Sequence, residues 1–239
     1  MNDRRLDRRS RQRAATEAEI RDTARQLLIQ SGPDAMSVNA VARNMGLSGP
    51  AIYRYYSSHD ELVGAVIADL FTELADAVRK AGTDPVDTGS GARLLAMSRS
   101  LRAWSGAHPN EFRLLFATPI PEANRHPASV RRQAGESFDE VFINEVEALW
   151  REHPFPVPDL EQAAPSLRRQ VLDYTERKGT SLPPAAAQVF LSCWTRLYGL
   201  LVMEALGQLA FAYSDPEPVF EQCLREFCDL LGIDYRPPH

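Results

Sequence analysis

Residues 37–56 read SVNAVARNMGLSGPAIYRYY, and the fold is decided by how this stretch is partitioned. Val38, Val41, Ala42 and Met45 recur at the spacing of one helix face. Ser37 stands where a helix needs a cap for its orphan amides. Gly46 supplies a residue free to adopt positive φ, so the chain can reverse within a few residues. Leu47 is expected to fill the corner. Ser48 is placed to cap a second, very short helix through about Tyr55, with Ile52 pointing back into a small core. The stretch therefore reads as a helix-turn-helix.

The flanks extend the helical pattern. Ile20, Ala24, Leu27 and Leu28 form a stripe that Ser31-Gly32-Pro33 stops, and Thr16 with Glu19 reads as the capping box at its start. Ser58 and Glu61 read as another box, opening a helix from about Asp60 to Lys80. GTDPVDTGSG (82–91) is a turn-rich linker. Further helices are expected near 91–106, 109–117, 128–151 and 166–177, then from Pro183-Pro184 to about Ala212, and from Asp215-Pro216 to near Gly232. The loops at 118–127 and 153–165 carry Pro119, Pro121, Pro127, Pro154, Pro156, Pro158 and Pro165. No alternating apolar run bounded by hairpin turns predicts a strand.

The chain is thus expected to be all-α. A basic flexible arm (1–13) precedes a three-helix helix-turn-helix domain (14–74), a larger helical domain (75–232) and a tail (233–239).

Charge divides along the same line. The net charge is -5, but residues 1–57 carry ten Arg against six Asp or Glu, and the remainder carries 17 Lys or Arg against 26 Asp or Glu. A basic head (+4) precedes an acidic body (-9). Arg4, Arg5, Arg8, Arg9, Arg11 and Arg13 crowd the N-terminus, where they can reach phosphates or a neighbouring minor groove. On the short second helix, Gly49, Pro50, Ala51, Tyr53, Arg54 and Tyr55 remain for the outer face and N-terminal end. Such a helix can enter a DNA major groove.

Other classes find less support. The three cysteines, Cys193, Cys223 and Cys228, lack metal-ligand spacing and read as buried thiols in a reducing compartment. No metal, cofactor or enzymatic activity is expected: phosphate-loop, dinucleotide and nucleophile motifs are absent, and His59, His108, His126, His153 and His239 are scattered. The Arg-rich start lacks the apolar core of a secretory signal. Residues 190–211 are long and apolar, but Arg196 and Glu204 near the centre make membrane insertion costly. A helix apolar nearly all round is more simply a buried one. The expected location is cytoplasmic, at the nucleoid.

Residues 14–74 resemble the DNA-binding domain of the tetracycline-repressor (TetR) family. The resemblance rests on Ser37-Val38, Ala42, Gly46-Leu47-Ser48, Pro50-Ala51-Ile52-Tyr53, Tyr55-Tyr56 and Asp60-Glu61-Leu62. It implies that Ser37 and Tyr53 bind phosphate and that Ser48, Gly49, Pro50, Ala51 and Tyr55 face the groove, with Arg54 beside them. Asn39 and Arg43 add contacts from the preceding helix, and Arg11 and Arg13 add them from the arm. Tyr55 stands where many members have His, Tyr56 where Phe is usual, and Ser58-His59 where a Lys is frequent.

The body resembles the family's C-terminal domains more loosely. His108-Pro109-Asn110-Glu111-Phe112-Arg113-Leu114-Leu115-Phe116 and Trp194 with Tyr198-Gly199 look like one sub-type's patterns. Clustered aromatics suggest a pocket lined by Trp104, Phe112, Phe116, Phe138, Phe142, Trp194 and Tyr198, with Trp150 also in the cluster. Arg196, Gly199, Met203, Glu204, Gly207, Phe220 and Leu224 on the last two long helices suggest a two-fold dimer interface. The resulting expectation is a dimeric repressor of a palindromic operator, released by a small, largely apolar effector. The alternative is a DNA-binding adaptor controlled by a protein partner, which a solid, cavity-free body would favour.

Overall fold

The structure, a computed structural model, describes residues 2–83, 89–119, 122–126 and 128–238. Residues 84–88 of the expected linker, Pro121, Pro127 and His239 lie outside the described residues. Ten α-helices and no strand occur among the described residues: α1 (Asn2–Ser31), α2 (Val38–Asn44), α3 (Gly49–Ile52), α4 (His59–Ala81), α5 (Ser90–Ala107), α6 (Pro109–Phe112), α7 (Val130–Glu152), α8 (Pro165–Lys178), α9 (Pro184–Ala205) and α10 (Glu217–Leu231). They form two units: residues 1–73 with 108–136, and residues 74–107 with 137–239. Residues 108–136 thus cluster with the first unit, although they lie in the sequence range expected for the C-terminal domain (75–232).

In the first unit, Ile20, Ala24 and Leu28 of α1 are fully buried, together with Val41, Ile52, Leu62 and Leu70. Each such aliphatic side chain contributes roughly 1.5–3 kcal/mol through burial. Ser37 Oγ accepts from the Ala40 amide at 3.2 Å and starts α2. Gly46 adopts φ 67° and the Leu47 amide returns to Ala42 O at 2.8 Å, which reverses the chain. Ser48 occupies the N-cap position of α3, but its side chain makes no capping bond. At the start of α4, the Glu61 amide donates to Ser58 Oγ at 3.1 Å, and the Glu61 carboxylate accepts from the Ser57 amide at 2.6 Å. Farther along α4, a Cβ built at Gly64 would lie 2.5 Å from Asn124 Oδ1. Asn124 is itself buried and donates to Asp60 O at 3.1 Å.

The second unit packs Phe138, Phe142, Val146 and Leu149 of α7 with Ala186, Phe190, Leu197 and Leu201 of α9 and Phe220, Leu224 and Phe227 of α10. The buried side of α9 (Ala186, Ala187, Val189, Phe190, Cys193, Leu197, Leu201) faces this core. That helix is long and apolar enough to cross a membrane by length and composition, and 39% of its apolar window is buried in this core.

Several local expectations are corrected. The stretch expected to be a flexible arm (1–13) is helical, because α1 already begins at Asn2. Its residues are mostly strong helix formers, and the Arg13–Glu17 pair (2.8 Å) lies at the stabilising i,i+4 spacing. Thr16 is consequently no cap, and its hydroxyl donates back to Gln12 O at 3.1 Å. Leu47 does not fill the corner: it is 38% exposed. Helix α9 stops at Ala205 rather than near Ala212, since Gly207 takes φ 67° and the Gln208 amide closes on Met203 O at 2.8 Å.

Candidate nucleic-acid interface

The turn leaves a polar surface over a buried hinge. Ile52 is fully buried, while Tyr53 is 52% exposed and Arg54, Pro50, Ser48, Ser37, Asn39 and Arg43 are exposed. Gly49, Ala51 and Tyr55 are half-buried. The structure brings Asn39 and Gly49 together: a Cβ at residue 49 would lie 3.0 Å from Asn39 Oδ1. Because Ser37 Oγ only accepts in its cap, its own O–H is left to donate, as a phosphate contact requires.

Arg13 bonds along the protein's own surface, with its side chain 60% exposed. Its Nη2 donates to Arg54 O at 3.2 Å, its Nε pairs with Glu17, and its guanidinium lies 5.7 Å from the Tyr55 ring. It therefore ties α1 to the end of the exposed short helix. Arg11 is exposed one turn away.

Sequence reasoning missed the scaffold behind this surface. Arg21 of α1 pairs with Asp69 of α4 and donates to Tyr56 Oη at 3.1 Å. The Tyr56 hydroxyl in turn donates to Glu17 O at 3.3 Å. Burial and then the Arg21 hydrogen bond act on Tyr56 in opposite senses, and burial wins, raising the phenol's pKa. One turn along, Arg25 grips Glu73 with two bonds (2.6 and 3.1 Å) and lies 3.5 Å from the buried Glu111 carboxylate. His108 Nδ1 is 3.5 Å from that carboxylate. Asn110 donates to Ile29 O at 3.0 Å, and Phe112 packs on Phe116 (4.7 Å between centroids), which meets Phe71 edge-on. The 108–116 pattern thus buttresses α1 and α4. Its signal was legible: Arg21 and Arg25 lie four apart, as do Asp69 and Glu73. His59, standing where a Lys is frequent, places Nε2 at 2.7 Å from Met36 O.

The pocket residues separate. Phe112 and Phe116 belong to the first unit's core. Phe138, Phe142 and Trp194 form one aromatic cluster in the second unit, with Phe190 stacked on Trp194. Beside it lies a cavity of about 50 Å³, lined among others by Phe142, Phe190, Trp194, Leu197, Leu224 and Phe227. Trp104 is buried and Tyr198 is 36% exposed, and neither lines this cavity. Trp150 packs edge-on against Phe155.

Two interface expectations are overturned. Phe220 and Leu224 are each only 1% exposed, buried in their own unit. Glu204 is held by Arg102 of α5, with bonds of 2.8–3.2 Å. Arg196, Met203 and Gly207 are exposed, and Gly199 is half-buried. Among the described residues no cluster of His, Cys, Asp or Glu is arranged to hold a metal.

A basic helix-turn-helix on one helical unit and an apolar cavity in another define a DNA-binding regulator. Residues 20–66 match the family model described as bacterial regulatory proteins, tetR family, and residues 94–227 match that of the tetracyclin repressor-like C-terminal domain. The chain is 28% identical over 236 residues to HTH-type transcriptional regulator Rv1816 of Mycobacterium tuberculosis, covering 95% of this chain and 97% of the relative. The same figures hold for Mb1846 of Mycobacterium bovis. The crystal structure of regulatory protein SCO4313 superposes with a TM-score of 0.69 at 30% identity, covering 91% of this chain and 97% of that one. A tetR-family protein from Rhodococcus RHA1 shares the fold (TM-score 0.57, 17% identity, 92% and 98% covered). The chain belongs to the TetR family of DNA-binding transcriptional regulators.

Proposed function

We propose that the protein is a cytoplasmic homodimeric repressor that binds a near-palindromic operator and is released by a small apolar effector, within the sub-type marked by Trp194 and Tyr198-Gly199. The observation that carries this reading is α3. Its one buried residue, Ile52, anchors a short helix that leaves Pro50 exposed and Gly49 and Ala51 half-buried, with exposed Tyr53 and Arg54 directly after it. Two such helices in a dimer lie about one DNA turn apart, ~34–36 Å. Ser37 and Tyr53 take phosphates; Ser48, Gly49, Pro50, Ala51, Arg54 and Tyr55 take the groove; and Asn39, Arg43 and Arg11 flank it. Arg13 positions Arg54 and Tyr55. The exposed Arg196 and Met203 with Gly199 support α9 as the pairing face.

The cavity in the second unit supports a small-molecule effector over a protein partner. An effector acts only if it binds the DNA-free state more tightly.

The test is selection of purified protein on a random duplex library, followed by a salt titration of the winner. Inverted repeats and a log K that falls steeply with log salt are expected. Recovery of no enriched motif would overturn the operator reading. An affinity that every cavity-bound compound leaves unchanged would overturn the effector reading.

A further inference from the structure

We propose that the C-terminal segment Gly232–Arg236 is a latched strap over the second unit's apolar cavity, and that the cavity admits slender, uncharged molecules poor in hydrogen-bonding groups when the strap lifts. The inference rests on reading that unit as the effector-binding one.

The strap begins where α10 ends. Gly232 adopts φ 61°, and the Ile233 amide returns to Cys228 O at 3.0 Å, so the chain turns back on its own helix. The Ile233 side chain then forms part of the cavity wall, with Leu94, Leu231 and Cys228. It reaches that place because residue 91 is glycine: a Cβ there would lie 3.0 Å from Ile233 Cβ.

Two residues on, the strap is fastened by polar groups. Tyr235 Oη donates to Glu221 at 2.6 Å, and its ring lies under the Arg225 guanidinium at 3.8 Å. Arg99 forms two bonds of 2.8 Å to the same Glu221 carboxylate and donates to Arg236 O at 2.6 Å. Wall and latch are thus separate: Ile233 closes the cavity, and Tyr235 with Arg236 holds it closed.

The lining sets the ligand chemistry. No charged side chain borders the cavity. Its polar members are Ser98, whose hydroxyl is spent on Leu94 O at 2.8 Å, and the thiols of Cys193 and Cys228. An ionised ligand group would be buried there without a counter-charge or hydrogen bond, which the apolar wall penalises heavily. The space, about 50 Å³, is far below the ~300 Å³ at which ordinary ligand pockets begin. It holds a few heavy atoms, so anything longer requires the wall to move. Ile233 is the one wall residue that lies outside a helix.

The two lining thiols allow a test that needs neither operator nor effector. Methyl methanethiosulfonate, a small neutral reagent, is added to the full-length protein, to Tyr235→Phe and to a chain ending at Gly232, and each cysteine is followed by mass spectrometry. Cys223, half-buried and outside the lining, is the internal control. Labelling of Cys193 and Cys228 should accelerate by about tenfold in both variants, the order expected when one hydrogen bond to a carboxylate is lost from the closed state, while Cys223 is unchanged. In wild type, 1-hexanol should slow labelling of Cys193 and hexanoate should not.

Unmoved rates at Cys193 and Cys228 in both variants would overturn the strap. So would parallel acceleration of all three cysteines, which marks general loosening. Equal protection by hexanoate would overturn the ligand class. Because labelling involves no DNA, failure here leaves the operator reading standing, and failure to select an operator leaves the strap standing.

Discussion

In the first unit, Arg21 and Arg25 hold α1 against α4 through Asp69 and Glu73, and a buried carboxylate, Glu111, completes the set. In the second unit, Arg93, Arg99 and Arg102 also pair with glutamates (Glu145, Glu221, Glu204), but at the edge of an apolar interior that holds the cavity. The same ion pair thus serves two ends. In the first unit it ties α1 to α4 behind the exposed helix-turn-helix. In the second it joins helices around an interior whose cavity no charged side chain borders.

The comparison can be broken most forcefully at the second unit's centre. Phe138 is fully buried and meets both Phe142 and Trp194. Phe138→Ala should cost about 3–5 kcal/mol in urea unfolding. A loss under ~1 kcal/mol would mean that this interior is already loosely packed.

The polar scaffold comes next. Arg25→Ala leaves Glu111 buried with a weakened partner set and should cost about 3 kcal/mol. It should also weaken operator binding, whereas Phe138→Ala should leave the affinity of the folded fraction unchanged. Equal DNA effects from the two would erase the contrast between the units.

At the surface, Arg54→Ala should lower affinity and relax base preference at one operator position, as expected for a side chain in the groove. A uniform loss across sequences with a salt slope smaller by about 1 would move Arg54 to a phosphate.

The rim responds to acid. Burial pushes the Glu221 carboxyl up, but hydrogen bonds from Arg99 and Tyr235 outweigh it, and its pKa falls below the usual carboxylate range. With a folded value below the unfolded ~4.3, its contribution is full above that pH and is lost as pH falls through the lower folded value. Glu221→Gln should therefore flatten the fall of Tm below about pH 4.5. Parallel melting curves for variant and wild type across that window would contradict it. The smallest effect belongs to Leu47→Ser, within about 0.5 kcal/mol, since the side chain is 38% exposed.

What the sequence disclosed follows from range. The helix-turn-helix is written in local spacing (Ser37, Gly46, Ile52), and local spacing survives into the structure. Propensity carries α1 back to Asn2, where the concentration of like charge reads as an arm. Phe220 and Leu224 share the apolar pattern of an interface helix, but nothing in one sequence tells an own core from a partner's surface. The strap was illegible as well. Ile233 and Arg236 lie in a short tail without periodicity, and their partners Gly91 and Arg99 are more than a hundred residues away.

The contact between Gly64 and Asn124 has a consequence for how this chain can vary. The Asn124 amide occupies the space a methyl group at residue 64 would need, and it does so while bonded to Asp60 O. Among homologues the two positions should behave as one: a side chain at 64 accompanied by a smaller residue at 124, and asparagine at 124 accompanied by glycine at 64. A Gly64→Ala change should be rescued by Asn124→Gly. Drift at residue 64 alone is opposed, and the open path between alternatives passes first through a smaller residue at 124, at the cost of the bond to Asp60 O.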